Sequence, residues 1–70
     1  MKNGYIVLFE PDDGGWVASV PDLPGCFSDA STLEEAQVQI REAIRLWVDT
    51  ATSKGWHIPE PQATVERIGV

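Results

Sequence analysis

The 70-residue sequence contains little cysteine, histidine or positive charge, and each shortage excludes a class of site. A single cysteine, Cys26, leaves no internal disulfide and no zinc site built from several thiolates. The only histidine, His57, has no Ser or Cys nucleophile at a recognisable spacing, so we interpret it as a solvated connector residue. Five basic residues against eleven acidic residues give a net charge of −6, which disfavours direct binding to nucleic acid.

The sequence also lacks a secretory signal and a run of about 18 apolar residues. We therefore expect a cytoplasmic protein with no membrane segment. Its acidity suits a basic protein partner, because opposite net charges raise the rate of association. An acidic surface also keeps a small protein soluble, and charge alone does not separate these two interpretations.

Three strands are predicted in the first 30 residues, at positions 5–10, 16–20 and 26–29. Both faces of the first strand are apolar, with Ile6 and Leu8 on one of them, so we expect it to be the central strand. Residues 11–15 combine Pro, Asp and Gly and predict a turn that returns the second strand antiparallel to the first.

The helix is the best-defined element. Thr32 and Glu35 form a capping-box pattern at its start, and Lys54 followed by Gly55 marks its end. Val38 and Leu46 lie off the apolar stripe, and we expect them to be partly exposed. The stripe itself recurs at three- and four-residue steps: Leu33, Ala36, Ile40, Ala43, Ile44, Trp47, Val48 and Ala51.

Residues 63–68 predict a last, weakly patterned strand that runs parallel to a neighbour by a right-handed crossover. The fold class is therefore α+β, a small antiparallel sheet packed on one long helix in the order β-β-β-α-β. One helix covers only one face of such a sheet. We expect a second copy to cover the other face, giving a homodimer or higher oligomer through Ile6, Leu8 and Val17.

A proline-bracketed corner joins the second and third strands, and the helix start follows soon after it. The corner and the helix start resemble the HicB-like antitoxin family, and the resemblance continues to residues 58–61. It rests on a Gly-Gly-aromatic strand, then Pro21-Asp22-Leu23-Pro24-Gly25-Cys26, then Thr32-Leu33-Glu34-Glu35-Ala36.

The resemblance implies that residues 1–70 form a single HicB-like antitoxin domain with a truncated ribonuclease H-like fold. It also implies a binding protein that neutralises a small, basic, HicA-like toxin that cleaves mRNA. The C-terminal DNA-binding module of fuller family members is not expected in this sequence. The alternative is an orphan domain that assembles with itself and binds a different protein or has no toxin partner.

A ribonuclease H-like fold raises the possibility of a nuclease, and the sequence argues against it. Such catalysis needs carboxylates that converge on two metal ions, and residues 5–9 contain none. Asp12 and Asp13 fit a turn, and Asp22 fits hydrogen bonding to local amides. We therefore predict no enzyme activity, no catalytic residue, no metal and no cofactor.

Candidate partner-binding residues lie at the corner and on the first hairpin. The two prolines stiffen the corner, so it loses little entropy on binding, and we expect Leu23 to be exposed there. Trp16 is a candidate aromatic anchor. The acids that would face a basic partner are Glu10, Asp12, Asp13 and Asp22. The alternative is that the corner only turns the chain between two strands.

Overall fold

A tight hairpin builds the first half of the sheet in the computed structural model, which describes residues 4–69. Strand β1, Leu8–Asp12, pairs antiparallel with β2, Gly15–Ser19. Only Asp13 and Gly14 separate the strands, and both have positive φ, 50° and 85°. Asp-Gly is the dipeptide that favours such a turn, because its twist matches that of the strands. The predicted turn is confirmed.

The third strand completes a sheet in which β2, not β1, is central. Strand β3, Phe27–Ala30, pairs antiparallel with β2, and the order is β1-β2-β3. The prediction of a central first strand is wrong. Strand β1 begins at Leu8 rather than Tyr5 and includes Pro11, whose missing amide hydrogen suits an edge strand.

The corner between β2 and β3 folds inward. The Leu23 amide donates to the Val20 carbonyl at 3.1 Å, and the Cys26 amide donates to the Leu23 carbonyl at 3.0 Å. These bonds turn Leu23 into the core, where it is only 1 % exposed. The prediction of an exposed Leu23 is therefore wrong, because the flanking prolines take the solvent-facing positions of the corner.

Helix α1 spans Leu33–Lys54, and both of its predicted ends are confirmed. The Thr32 hydroxyl accepts a hydrogen bond from the Glu35 amide at 3.1 Å. At the other end Gly55 takes a left-handed φ of 72°, which lets its amide reach the Thr52 carbonyl. The Trp56 amide then reaches the Ala51 carbonyl, completing a Schellman motif.

The core lies between one face of the sheet and α1. Leu23 and Ile40 are its largest fully buried side chains. As predicted, Val38 and Leu46 lie on the outer side of the helix, 55 % and 68 % exposed. The buried cluster consists of Ala18, Val20, Leu23, Cys26, Ala36 and Ile40.

No strand follows α1 within the part of the chain that the structure describes, so the observed order is β-β-β-α. The segment after the helix is instead held by isolated hydrogen bonds. The Tyr5 hydroxyl donates to the Pro59 carbonyl, and Asp22 accepts from two amides of the segment. Val65 and Ile68, which were expected in a strand, are 63 % and 72 % exposed.

Candidate partner-binding surface

The register of the sheet sorts its side chains onto two faces. Residues paired across antiparallel strands share a face, and neighbours along a strand alternate. Phe9 pairs with Ala18, and Ala18 pairs with Ser28, so this row faces α1 and the core. The rows on either side of it face away from the helix.

We call the side away from α1 the open face. Two of its rows have three residues each, and Asp12 and Gly15 form a shorter third row next to Glu10 and Val17. The first row is Leu8, Ser19 and Phe27, and the second is Glu10, Val17 and Asp29. Leu8 is 37 % exposed and Phe27 is 67 % exposed. The two full rows therefore combine accessible apolar side chains with two carboxylates, and none of their six positions carries a basic residue.

Two sets of residues that the sequence assigned to different roles meet on the open face. Leu8 and Val17 were expected in an oligomer interface, whereas Glu10 was expected to contact a partner. Ile6 is half-buried and lies outside β1, two residues before Leu8. The structure thus leaves one surface on which a second copy and another protein would compete.

The remaining partner-binding candidates are divided between opposite ends of the sheet. Asp12, Asp13 and Trp16 line an open depression of about 600 Å³ at the hairpin end, which also includes Val17 and Asp29 of the open face. Asp22 and Leu23 lie beyond the other end of β2. The predicted residues therefore do not form one continuous site.

Asp22 binds the C-terminal segment. Its Oδ2 atom accepts hydrogen bonds from the Gln62 amide at 3.0 Å and from the Ala63 amide at 2.9 Å. Local amides were expected as the partners of this carboxylate, whereas these two amides are 40 and 41 residues away in sequence. The corner has a structural role that connects distant parts of the chain.

Two residues of the open face, Phe27 and Asp29, were missed by the sequence interpretation. A strand is expected at residues 26–29, and side chains along a strand point alternately to its two faces. If the apolar Cys26 faces the core, Phe27 and Asp29 lie on the face away from the core. The register with β2 confirms that placement, since Phe27 pairs with Ser19 and Asp29 with Val17. Alternation along the third strand is thus the sequence signal for these two residues.

Among the described residues, the side chains that could act as metal ligands or as a thiol nucleophile are dispersed or buried. Within residues 4–69 no group of three His, Cys, Asp or Glu side chains is arranged to hold a metal ion. Cys26 is buried, and desolvation raises the pKa of its thiol, which disfavours the nucleophilic thiolate. Over the same range, no helix has the length and apolar character needed to cross a membrane.

Comparison with known proteins decides the family. The family model described as HicB_like antitoxin of bacterial toxin-antitoxin system matches residues 5–68. The chain belongs to the HicB-like antitoxin family. This match extends from the residues before β1 through the segment that follows α1, and it confirms the resemblance seen in the sequence.

Curated relatives of this HicB-like chain occur in archaea and bacteria and in a phage. A UPF0150 protein of Thermoplasma acidophilum is 36 % identical over 58 residues, which cover 83 % of this chain and 84 % of the relative. A UPF0150 protein of Synechocystis is 33 % identical over 66 residues, which cover 94 % of this chain and 90 % of the relative. An uncharacterized 14.9 kDa protein of Haemophilus phage HP1 is 38 % identical over 56 residues, covering 80 % of this chain and 42 % of its own length.

Proposed function

We propose that this HicB-like protein is the antitoxin of a toxin–antitoxin pair and neutralises a small, basic, HicA-like toxin that cleaves mRNA. Neutralisation would occur by direct contact between the two proteins. Membership of the antitoxin family supports the general role. The observation that supports this class of partner is the open face, where Glu10 and Asp29 flank Val17 on a surface that lacks basic residues.

The electrostatics of such a pair favour association. A toxin that cleaves mRNA needs a basic surface to hold the phosphate backbone. A protein with a net charge of −6 is attracted to that surface and competes there with RNA. Complementary charge acts mainly on the association rate and on specificity, and apolar contacts then slow dissociation.

The proposed mechanism needs binding alone, so it requires neither a cofactor nor a metal. The acids at the hairpin end, Asp12 and Asp13, add to the negative potential beside Trp16. In this proposal they attract the toxin, whereas Asp22 and Leu23 act by keeping the corner and the C-terminal segment in place.

Co-expression in bacteria tests this proposal. The toxin is the product of a reading frame that adjoins this gene and encodes a small basic protein. Growth should stop when that protein is expressed alone and should recover when this chain is expressed with it. A control with a stop codon early in this gene separates the protein from its mRNA. Growth arrest that persists despite abundant folded antitoxin would contradict the proposal.

The second candidate function is an orphan domain that assembles with itself. It is favoured by the apolar part of the open face, since a second copy would cover Leu8, Val17 and Phe27. On this alternative the chain sediments as a dimer or larger oligomer at micromolar concentration, and substitutions on the open face yield a 7.7 kDa monomer. Toxin binding would then be absent.

A further inference from the structure

The open face is the face of the sheet that α1 leaves uncovered. We infer that the toxin docks on this face, with its basic side chains against Glu10 and Asp29 and apolar atoms against Leu8, Val17 and Phe27. This inference rests on the proposed function, and it places the interface away from the corner between β2 and β3.

The spacing of the side chains on the open face allows two basic residues of the partner to bind at the same time. Adjacent strands lie about 4.8 Å apart, so Glu10 and Asp29 on the outer strands are separated by about 10 Å with Val17 between them. The row of Leu8, Ser19 and Phe27 lies two residues further along, or about 7 Å away. Two Lys or Arg side chains can pair with the carboxylates while their aliphatic stems lie against the apolar residues.

The charge pattern favours a basic partner over a second copy. In a symmetric dimer the same patch lies on both sides of the interface, so two copies of Glu10 and Asp29, four carboxylates, would be brought into one interface. Like charges brought together at an interface oppose association. Within residues 4–69 none of the basic residues lies on the three strands, and all of them lie on α1 or after it: Arg41, Arg45, Lys54 and Arg67.

The outer surface of α1 fits the same partner less well. It also exposes apolar residues, Val38 and Leu46, which are 55 % and 68 % exposed. However, Arg41 and Arg45 lie exposed on this helix among the acids Glu42 and Asp49, so its charges are mixed, whereas the open face carries acids without a basic residue. This surface therefore supplies matched controls for the open face.

The experiment measures the affinity of the purified chain for a small, basic, HicA-like toxin. Phe27→Ser on the open face is paired with Leu46→Ser on α1, because the two side chains are 67 % and 68 % exposed. Glu10→Lys is paired with Glu42→Lys, which makes the same change of charge at another exposed glutamate. Circular dichroism and thermal unfolding confirm that all four variants are folded.

Both substitutions on the open face should weaken binding by about tenfold or more, as expected for contacts at the centre of an interface. The loss in Glu10→Lys should appear mainly in the association rate and should shrink at high salt. The two substitutions on α1 should change the affinity by less than about twofold.

Three results would overturn the inference. Losses confined to the α1 variants would place the interface on the helix. Loss in a fifth variant, Asp13→Lys, while Phe27→Ser and Glu10→Lys bind like the parent, would place it at the hairpin turn. A parent dimer that Phe27→Ser dissociates, with toxin affinity unchanged, would assign the open face to a second copy. Failure of the parent chain itself to bind the toxin would instead reject the proposed function, and the inference with it.

Discussion

The Trp47 indole nitrogen donates a hydrogen bond to the Pro24 carbonyl oxygen at 2.9 Å, which joins α1 to the corner between β2 and β3. The donor belongs to the helix and the acceptor to the corner. The Pro24 carbonyl is not used by the backbone hydrogen bonds that fold the corner. Trp47 also packs against the buried core cluster. One side chain therefore fixes the corner both by packing and by a directed polar contact.

Replacing Trp47 with Phe should keep most of the packing and remove this hydrogen bond. We expect the free energy of unfolding to fall by about 1 kcal/mol, the usual net value of one hydrogen bond, plus a contribution from the smaller ring. Urea unfolding followed by circular dichroism measures the change. Trp56→Phe is the control, because Trp56 is 53 % exposed, and an unchanged stability in Trp47→Phe would contradict the assigned role.

Leu23→Ala should destabilise the fold strongly. Leu23 is 1 % exposed, and truncation of a buried leucine usually costs about 2–5 kcal/mol, because it leaves a cavity. The matched substitution Val38→Ala, on the exposed side of α1, should cost far less. Thermal unfolding of the two variants makes the comparison, and similar midpoints would show that the corner does not hold Leu23 in the core.

Asp22→Ala should release the C-terminal segment while leaving the sheet and helix folded. The substitution removes the acceptor of the Gln62 and Ala63 amides. Hydrogen exchange at these two amides should become faster, whereas exchange in β2 should stay the same. Asp49→Ala, an exposed acid on α1, serves as the control. Unchanged exchange at both amides would reject Asp22 as their partner.

Because Cys26 is buried, we expect the free energy of unfolding to depend on pH in the alkaline range. Desolvation raises the pKa of its thiol above the ordinary value of 9.0, because the thiolate is poorly solvated in the core. The unfolded chain therefore loses this proton at lower pH than the folded chain. The stability associated with the neutral thiol is fully present below about pH 9 and is lost as the pH rises through the raised pKa.

Urea unfolding of the parent and of Cys26→Ala across this pH range measures that contribution. The free energy of unfolding of the parent should fall more steeply above about pH 9 than that of Cys26→Ala. The variant lacks the thiol and keeps the other titrating groups. Parallel curves would contradict the predicted coupling between the ionisation of Cys26 and folding.

Local signals predicted the hairpin turn and both ends of the helix, because each depends on residues close in sequence. Asp13 and Gly14 adopt the positive φ values that the turn needs, and Thr32 and Gly55 cap α1 as expected. Sheet order depends instead on which distant segments pair. The apolar run at residues 5–9 therefore did not reveal that β1 lies at an edge, with β2 in the centre.

The candidate site was predicted only in part, because it also depends on which distant segments pair. Glu10 and Val17 were both selected from the sequence, but only the register shows that they are neighbours on one face. Leu23 was assigned to the surface because the prolines suggested an exposed corner, and the backbone hydrogen bonds of the corner reverse that expectation. Short-range patterns identified the residues, and long-range pairing determines which of them act together.

The most direct test of the proposed function is a titration of this chain into RNA cleavage by a small, basic, HicA-like toxin. Purified toxin degrades an mRNA substrate, and the intact fraction is measured as folded antitoxin is added. The account predicts that cleavage stops near a fixed stoichiometric ratio and that the antitoxin alone leaves the RNA intact. Undiminished cleavage in the presence of a large molar excess of folded chain would contradict it.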